Sequence, residues 1–100
     1  MRPIQLARVD KARPVLVLTR DVVRPHLARV TVAPITTTVR GLSTEVAVGP
    51  ANGLDHDCVI SCDDILTVPK TALGRHIGYL QSAQEPALTA AICAAFDLNS

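Results

Sequence analysis

The chain has no tryptophan, one tyrosine (Tyr79) and one phenylalanine (Phe96) among its 100 residues. That scarcity argues against a nucleic-acid binder that stacks bases on rows of aromatic platforms. Hydrophobic residues still make up 48% of the chain, so a core is available and must be built from Val, Leu, Ile and Ala. Long apolar runs are also missing. None approaches the roughly 20 residues a membrane-spanning helix requires. The opening residues, MRPIQLARVD, lack the apolar stretch and cleavage site of a secretory signal. The expectation is a cytoplasmic chain with no membrane partner. Cysteine is sparse: Cys58, Cys62 and Cys93 are odd in number and show no framework spacing, which argues against a disulfide-held fold. Residues 1–100 read as a single domain.

Net charge is only +1, but its distribution is uneven. Residues 1–50 carry eight Lys and Arg against three Asp and Glu, or +5, while residues 51–100 carry two against six, or −4. Such asymmetry suits one face for an anion and another for a basic partner, and equally suits ordinary surface solvation. Arginine outnumbers lysine eight to two, and its planar fork favours bidentate phosphate contacts.

The pattern along the chain is mainly β. Short strands are expected at Ile4–Val9, Val15–Leu18, Arg29–Ile35, Thr44–Val48, Cys58–Cys62 and Leu66–Val68, with His76–Leu80 as a further one. Pro34 should sit at an edge or a bulge of its strand. Arg20–His26 reads as a loop or a single turn around Pro25, and residues 49–53 (GPANG) are dense in turn chemistry. Near the end, Ser82 and Glu85 have the spacing of a capping box. Leu88, Ala91, Ile92, Ala95 and Phe96 then repeat as the apolar stripe of an amphipathic helix. Strands followed by one helix predict a small, partly open β-barrel with a C-terminal helix packed across it.

Several segments offer chemistry. His56-Asp57-Cys58 with Cys62 or Asp63 could ligate a metal, but no second C-x-x-C or H-x-x-x-H pair completes a set. The expectation is no metal and no cofactor, with the cysteines as small core residues. Asp63-Asp64 ends a strand, either as turn caps or as a carboxylate beside a phosphate site. His26 and His76 have no partner evident in the sequence. Arg13, before Pro14 and an all-apolar strand, is either a solvated loop residue or a cation poised for an anion. Residues 30–41, VTVAPITTTVRG, run from strand into three hydroxyls and a cation. They are either a strand entering a loop or a row of donors for something anionic. Composition leaves both segments open.

Taken together, KARPVLVLTRDVV, VTVAPIT, CVISCDDILTVPK, LGRHIGYL and the closing helix resemble the MazF/PemK family of toxin endoribonucleases, in order and over nearly the whole chain. The R-P-V-L-V-L and V-A-P-I-T elements are the most specific, and the likeness is to the short actinobacterial, mycobacteria-like members. The resemblance implies an SH3-like small barrel of the CcdB/MazF/PemK toxin fold, mainly β with a C-terminal helix. It implies a homodimer that cuts single-stranded RNA at short motifs without metal, and a cognate MazE-like antitoxin occupying the same groove. The catalytic positions carry over to Arg13 and Thr36, with an acidic position at Asp63; Lys11, Thr37, Thr38 and Arg40 are the RNA-binding expectations. Attack by the RNA 2′-OH would exclude a DNA substrate. The family's Gly-rich loop before R-P is here cut to Val9-Asp10-Lys11-Ala12. The general base is left among Asp10, Asp63 and His26, and the groove opens towards structured RNA such as ribosomal or transfer RNA loops. The alternative on the same barrel is a non-catalytic CcdB-like toxin that binds DNA gyrase through its C-terminal residues. The end of this chain, Phe96–Ser100, offers no positive signal for that.

Overall fold

The computed structural model describes residues 1–98; Asn99 and Ser100, the end of the Phe96–Ser100 tail, lie outside the described residues. Seven strands precede one helix: β1 (Arg2–Arg8), β2 (Ala12–Val17), β3 (Arg29–Thr36), β4 (Glu45–Val48), β5 (Cys58–Ser61), β6 (Leu66–Pro69), β7 (Leu73–Leu80) and α1 (Glu85–Phe96). All ladders are antiparallel, in the order β4-β5-β3-β2-β1-β7, with β6 also paired to β3. The strand-then-helix architecture is as expected. Three boundaries differ in ways that matter: β2 begins at Ala12 and β3 ends at Thr36, so Arg13 and Thr36 both lie on strands rather than in loops, and β7 starts three residues early.

Pro34 is not on an outer edge; it is buried within β3. The register explains how a residue without an N–H is tolerated there. The Leu18 amide donates to the Thr31 carbonyl. The alternation of an antiparallel pair then puts Val15 and Pro34 in a non-bonded position, with the proline nitrogen turned away from β2. On that other side β3 changes partner, from β6 over Arg29–Val32 to β5 over Ile35–Thr36. Pro34 falls in the gap between them.

The sheet buries apolar residues on both faces. Ile4, Leu16, Ala33, Ile35 and Ile60 form one cluster, together with Leu88 and Ala91 of α1. Val15, Val17, Val30, Val32, Ala7 and Val68 form the other. The buried aliphatic residues of β2 and β3 fall into one cluster or the other by parity, as the two-residue strand period demands. The helix stripe holds for Leu88, Ala91, Ile92 and Ala95, but Phe96 is exposed.

The expected Ser82–Glu85 capping box does not form. Ser82–Gln84 is a separate 3-10 turn, and α1 is preceded by Gln84 with no side-chain cap bond. Glu85 instead pairs with Arg2 at 2.9 Å, a partner distant in sequence. The barrel closes at a buried amide. Asn52 Nδ2 donates to the Tyr79 carbonyl (2.9 Å) and to Gln84 Oε1 (2.7 Å), and its Oδ1 accepts from the Gly49 amide (3.1 Å). The backbones meet so closely that a Cβ on Gly78 would lie 2.0 Å from the Asn52 carbonyl oxygen. Gly53, at φ +87°, turns the chain back from this joint in the left-handed region glycine favours.

Candidate active site

The β2–β3 register pairs Val15 with Pro34 and Leu16 with Ala33. Continued by two residues, it sets Arg13 opposite Thr36. Both share parity with the second apolar cluster, so they project from one face at one end of the sheet, where they line a common cavity of about 230 Å³. Strand pairing thus joins two segments more than twenty residues apart.

Arg13 is held by the short β1–β2 connection. Asp10 Oδ1 accepts from the Lys11 amide (2.9 Å), and Asp10 Oδ2 accepts from Arg13 Nη2 (3.0 Å). Hydrogen bonds from the Asp10 and Lys11 amides, reinforced by the Arg13 guanidinium, hold the Asp10 carboxyl below its ordinary value. Asp10 is therefore ionised at neutral pH and steers the guanidinium. The Arg13 side chain keeps 24% of its surface exposed, while its Nε is buried with no acceptor among the described residues. Donors are left over for a ligand, and the exposed pair with Asp10 is of the weak kind that an oxyanion can displace.

Thr36 Oγ1 accepts from the Thr38 amide at 3.1 Å, an ST-type turn that fixes the hydroxyl and leaves its proton to donate. Thr38, Arg40 and Asp63 line the same cavity. Asp63 Oδ2 accepts from Thr44 Oγ1 at 2.7 Å, leaving its second oxygen open. Two sequence-predicted residues are not brought there. Thr37, one step past the end of β3, lines a different cleft. Lys11 is exposed on the hairpin and lines none of the cavities described here. Of the three possible bases, Asp63 reaches the Arg13–Thr36 cavity, Asp10 lines an adjoining one with Arg13, and His26 sits on the 3-10 turn Arg24–His26.

Asp64, paired with Asp63 in the sequence as a turn cap or a carboxylate beside a phosphate site, also lines the cavity, and so does Glu45, which sequence reasoning missed. Glu45 accepts from the backbone amides of Arg40 and Leu42 (3.1–3.3 Å), so it shapes the loop that carries Arg40. Asp64 accepts from Ser61 Oγ at 2.8 Å. Glu45 has no motif that would have drawn attention to it. Among the described residues no three His, Cys, Asp or Glu side chains converge as a metal set. Cys62 is buried in the core, and burial, aided by Asp63, pushes its thiol up to about 11. The arrangement can bind a tetrahedral oxyanion between a guanidinium and a hydroxyl, with a carboxylate alongside.

The sequence profile of the family described as "PemK-like, MazF-like toxin of type II toxin-antitoxin system" matches residues 3–96. The chain is 66% identical over 99 residues to Endoribonuclease MazF3 of Mycobacterium tuberculosis, covering 99% of this chain and 96% of that one. Its fold superposes on the structure of Mycobacterium tuberculosis toxin MazF-mt6 with a TM-score of 0.97 at 65% identity, over 99% of this chain and all of that one. A mycobacterial endoribonuclease solved in complex with its cognate antitoxin is similar at a TM-score of 0.84 and 27% identity, over 99% of this chain and 94% of that one.

Proposed function

The chain belongs to the PemK-like, MazF-like toxin family of type II toxin–antitoxin systems, and from that premise we propose how its residues cleave RNA. It is an endoribonuclease toxin, with RNA as substrate and a cognate antitoxin as partner. The observation that carries the site assignment is the convergence of Arg13 and Thr36 on one cavity from two paired strands.

In this reading the RNA 2′-oxygen attacks the adjacent phosphorus in line. The O5′–P bond breaks, leaving a 2′,3′-cyclic phosphate and a 5′-OH. The 2′-OH proton passes to a base, and the departing 5′-oxygen takes up a proton. Charge builds on the non-bridging oxygens as the pentacovalent arrangement forms. Arg13, preset by Asp10, and the Thr36 hydroxyl, preset by the Thr38 amide, meet that charge without reorganising. Such preorganised donors are typically worth about 10²–10³ in kcat each. Asp63, with one oxygen open to the cavity, is the carboxylate that receives the 2′-OH proton. Thr38 and Arg40, just beyond the C-terminal end of β3, grip the RNA backbone.

The toxin acts in the cytoplasm as a homodimer, where its RNA targets lie; no helix among the described residues is long and apolar enough to cross a membrane. The three-residue β1–β2 connection leaves the cavity mouth low, which favours admission of folded RNA loops as well as messenger RNA.

Purified protein incubated with single-stranded RNA in EDTA tests the assignment. Cleavage to 5′-OH and cyclic-phosphate ends is expected, and a single 2′-deoxy nucleotide 5′ of the cut abolishes it. Persistent cleavage of that deoxy substrate would refute the mechanism. Digestion of total RNA that cuts only messenger RNA would refute the folded-loop target.

A further inference from the structure

A second cleft, of about 250 Å³, opens on the other face of the sheet, under the same end of β3. Its floor is apolar, formed by Leu6, Pro14, Ile35, Leu54 and Ile77, and its rim carries Thr37, Asp55, His56 and Arg75. None of these residues serves the phosphate site. Yet the two cavities meet at the end of β3, where Thr36 lines one and the next residue, Thr37, lines the other.

We propose that this cleft is a nucleobase subsite: it seats the base of a nucleotide flanking the phosphate held by Arg13 and Thr36. The proposal rests on the ribonuclease reading above. Three observations carry it. The first is continuity: RNA draped over the end of β2 and β3 presents its phosphate to Thr36 and can turn the next base past Thr37 into the cleft. The second is the chemistry of the lining. An apolar floor with a few convergent polar groups is what a heteroaromatic ring requires, and the imidazole of His56 and the guanidinium of Arg75 are planar groups on which bases stack. In this chain that is significant, because the conventional platforms are nearly absent and both of them, Tyr79 and Phe96, lie outside the cleft. The third is charge. Arg75 is one of only two basic residues in the acidic second half, is exposed, and forms no ion pair among the described residues, where Arg2, Arg13 and Arg24 each do.

The experiment is an abasic walk. An RNA oligonucleotide bearing one cleavage site, mapped beforehand from digested total RNA, is made with a single abasic nucleotide at each position around the cut. kcat/KM is measured for the wild type, Arg75→Ala and His56→Ala, each verified as folded by its thermal transition. At one flanking position, base removal should lower wild-type kcat/KM about tenfold, in the range for a stacked base. Arg75→Ala should cause a similar loss on the intact oligonucleotide, and the two together should lose little more than either alone. Losses that multiply at every position would overturn the subsite. So would Arg75→Ala cleaving the intact oligonucleotide like the wild type, or weakening only antitoxin binding or self-association, since the cleft would then belong to a protein partner. If wild-type protein cleaves no RNA, the underlying reading fails and the subsite with it, an outcome distinct from all of these.

Discussion

Replacing Asn52 with alanine should open the barrel at its seam. The side chain is 2% exposed and joins three segments: the Gly49 amide, the Tyr79 carbonyl and the Gln84 side chain, at 2.7–3.1 Å. Gln84 returns a longer bond to Asn52 Oδ1 at 3.3 Å. Truncation leaves the buried Gly49 N–H and the part-buried Tyr79 carbonyl without these partners, and an unpaired buried group costs about 1–3 kcal/mol. Allowing for some entry of water, the loss should be about 3 kcal/mol. That is a large fraction of the roughly 5–15 kcal/mol that holds a domain together. For a chain of this size it corresponds to a fall in Tm of about 12–24 °C. Urea unfolding of wild type and Asn52→Ala at one fixed protein concentration measures it, the concentration being held because self-association shifts apparent stability. A loss under about 1 kcal/mol, the scale of an ordinary surface substitution, would refute the view that this amide closes the fold. The same variant should also loosen the cleft beside it, since Gly53 and Leu54 follow Asn52 directly and line that cleft.

Other outcomes follow from the same geometry. Gly78→Ala would force a methyl to within 2.0 Å of the Asn52 carbonyl oxygen, so it should destabilise by at least the roughly 1–3 kcal/mol of overpacking, whereas Gly74→Ala, with 3.6 Å of clearance, should be far milder; parallel thermal melts separate the two. Cys62 keeps its proton far above neutrality because it is buried, so iodoacetamide at pH 8 should label it only after denaturation. Its folded thiol titrates above the unfolded one, near 9.0, so that contribution to stability is intact below about pH 9 and is lost as the pH climbs towards 11. Asp10 has the opposite sign. Its folded carboxyl lies below 3.8, so its contribution is present above that value and disappears as the pH falls through the folded one. An acid titration of wild type against Asp10→Asn should show the increment only in the wild type.

Much of the fold was legible because apolar periodicity and turn residues report local structure directly. Val15–Leu18 and Arg29–Ile35 read as strands, and Leu88, Ala91, Ile92, Ala95 and Phe96 read as a helix face, all but Phe96 packed on the core. What failed depended on partners distant in sequence. Glu85 looked like a capping residue, but Arg2 takes it. Pro34 read as an edge or bulge residue; it sits instead where β3 exchanges one partner for another. Arg13 and Thr36 were legible as individual positions through the family likeness. Their adjacency belongs to the β2–β3 register, which no local pattern encodes. Thr37 shows the converse: it follows Thr36 directly in sequence, yet its side chain lines a different cleft. Glu45 stayed invisible because a carboxylate bonded to loop amides looks, in sequence, like any other surface acid.

The central claim is that Arg13 and Thr36 act together on one phosphate. Single-turnover cleavage of one RNA oligonucleotide in EDTA by wild type, Arg13→Ala, Thr36→Ala and the double variant tests it most directly, with each protein checked for a native melting transition. Each single substitution should slow cleavage by about 10²–10³, and the double should lose clearly less than the product of the two, as groups acting as a unit do. Full activity in either folded single variant, or losses in the double that multiply without interaction, would contradict it.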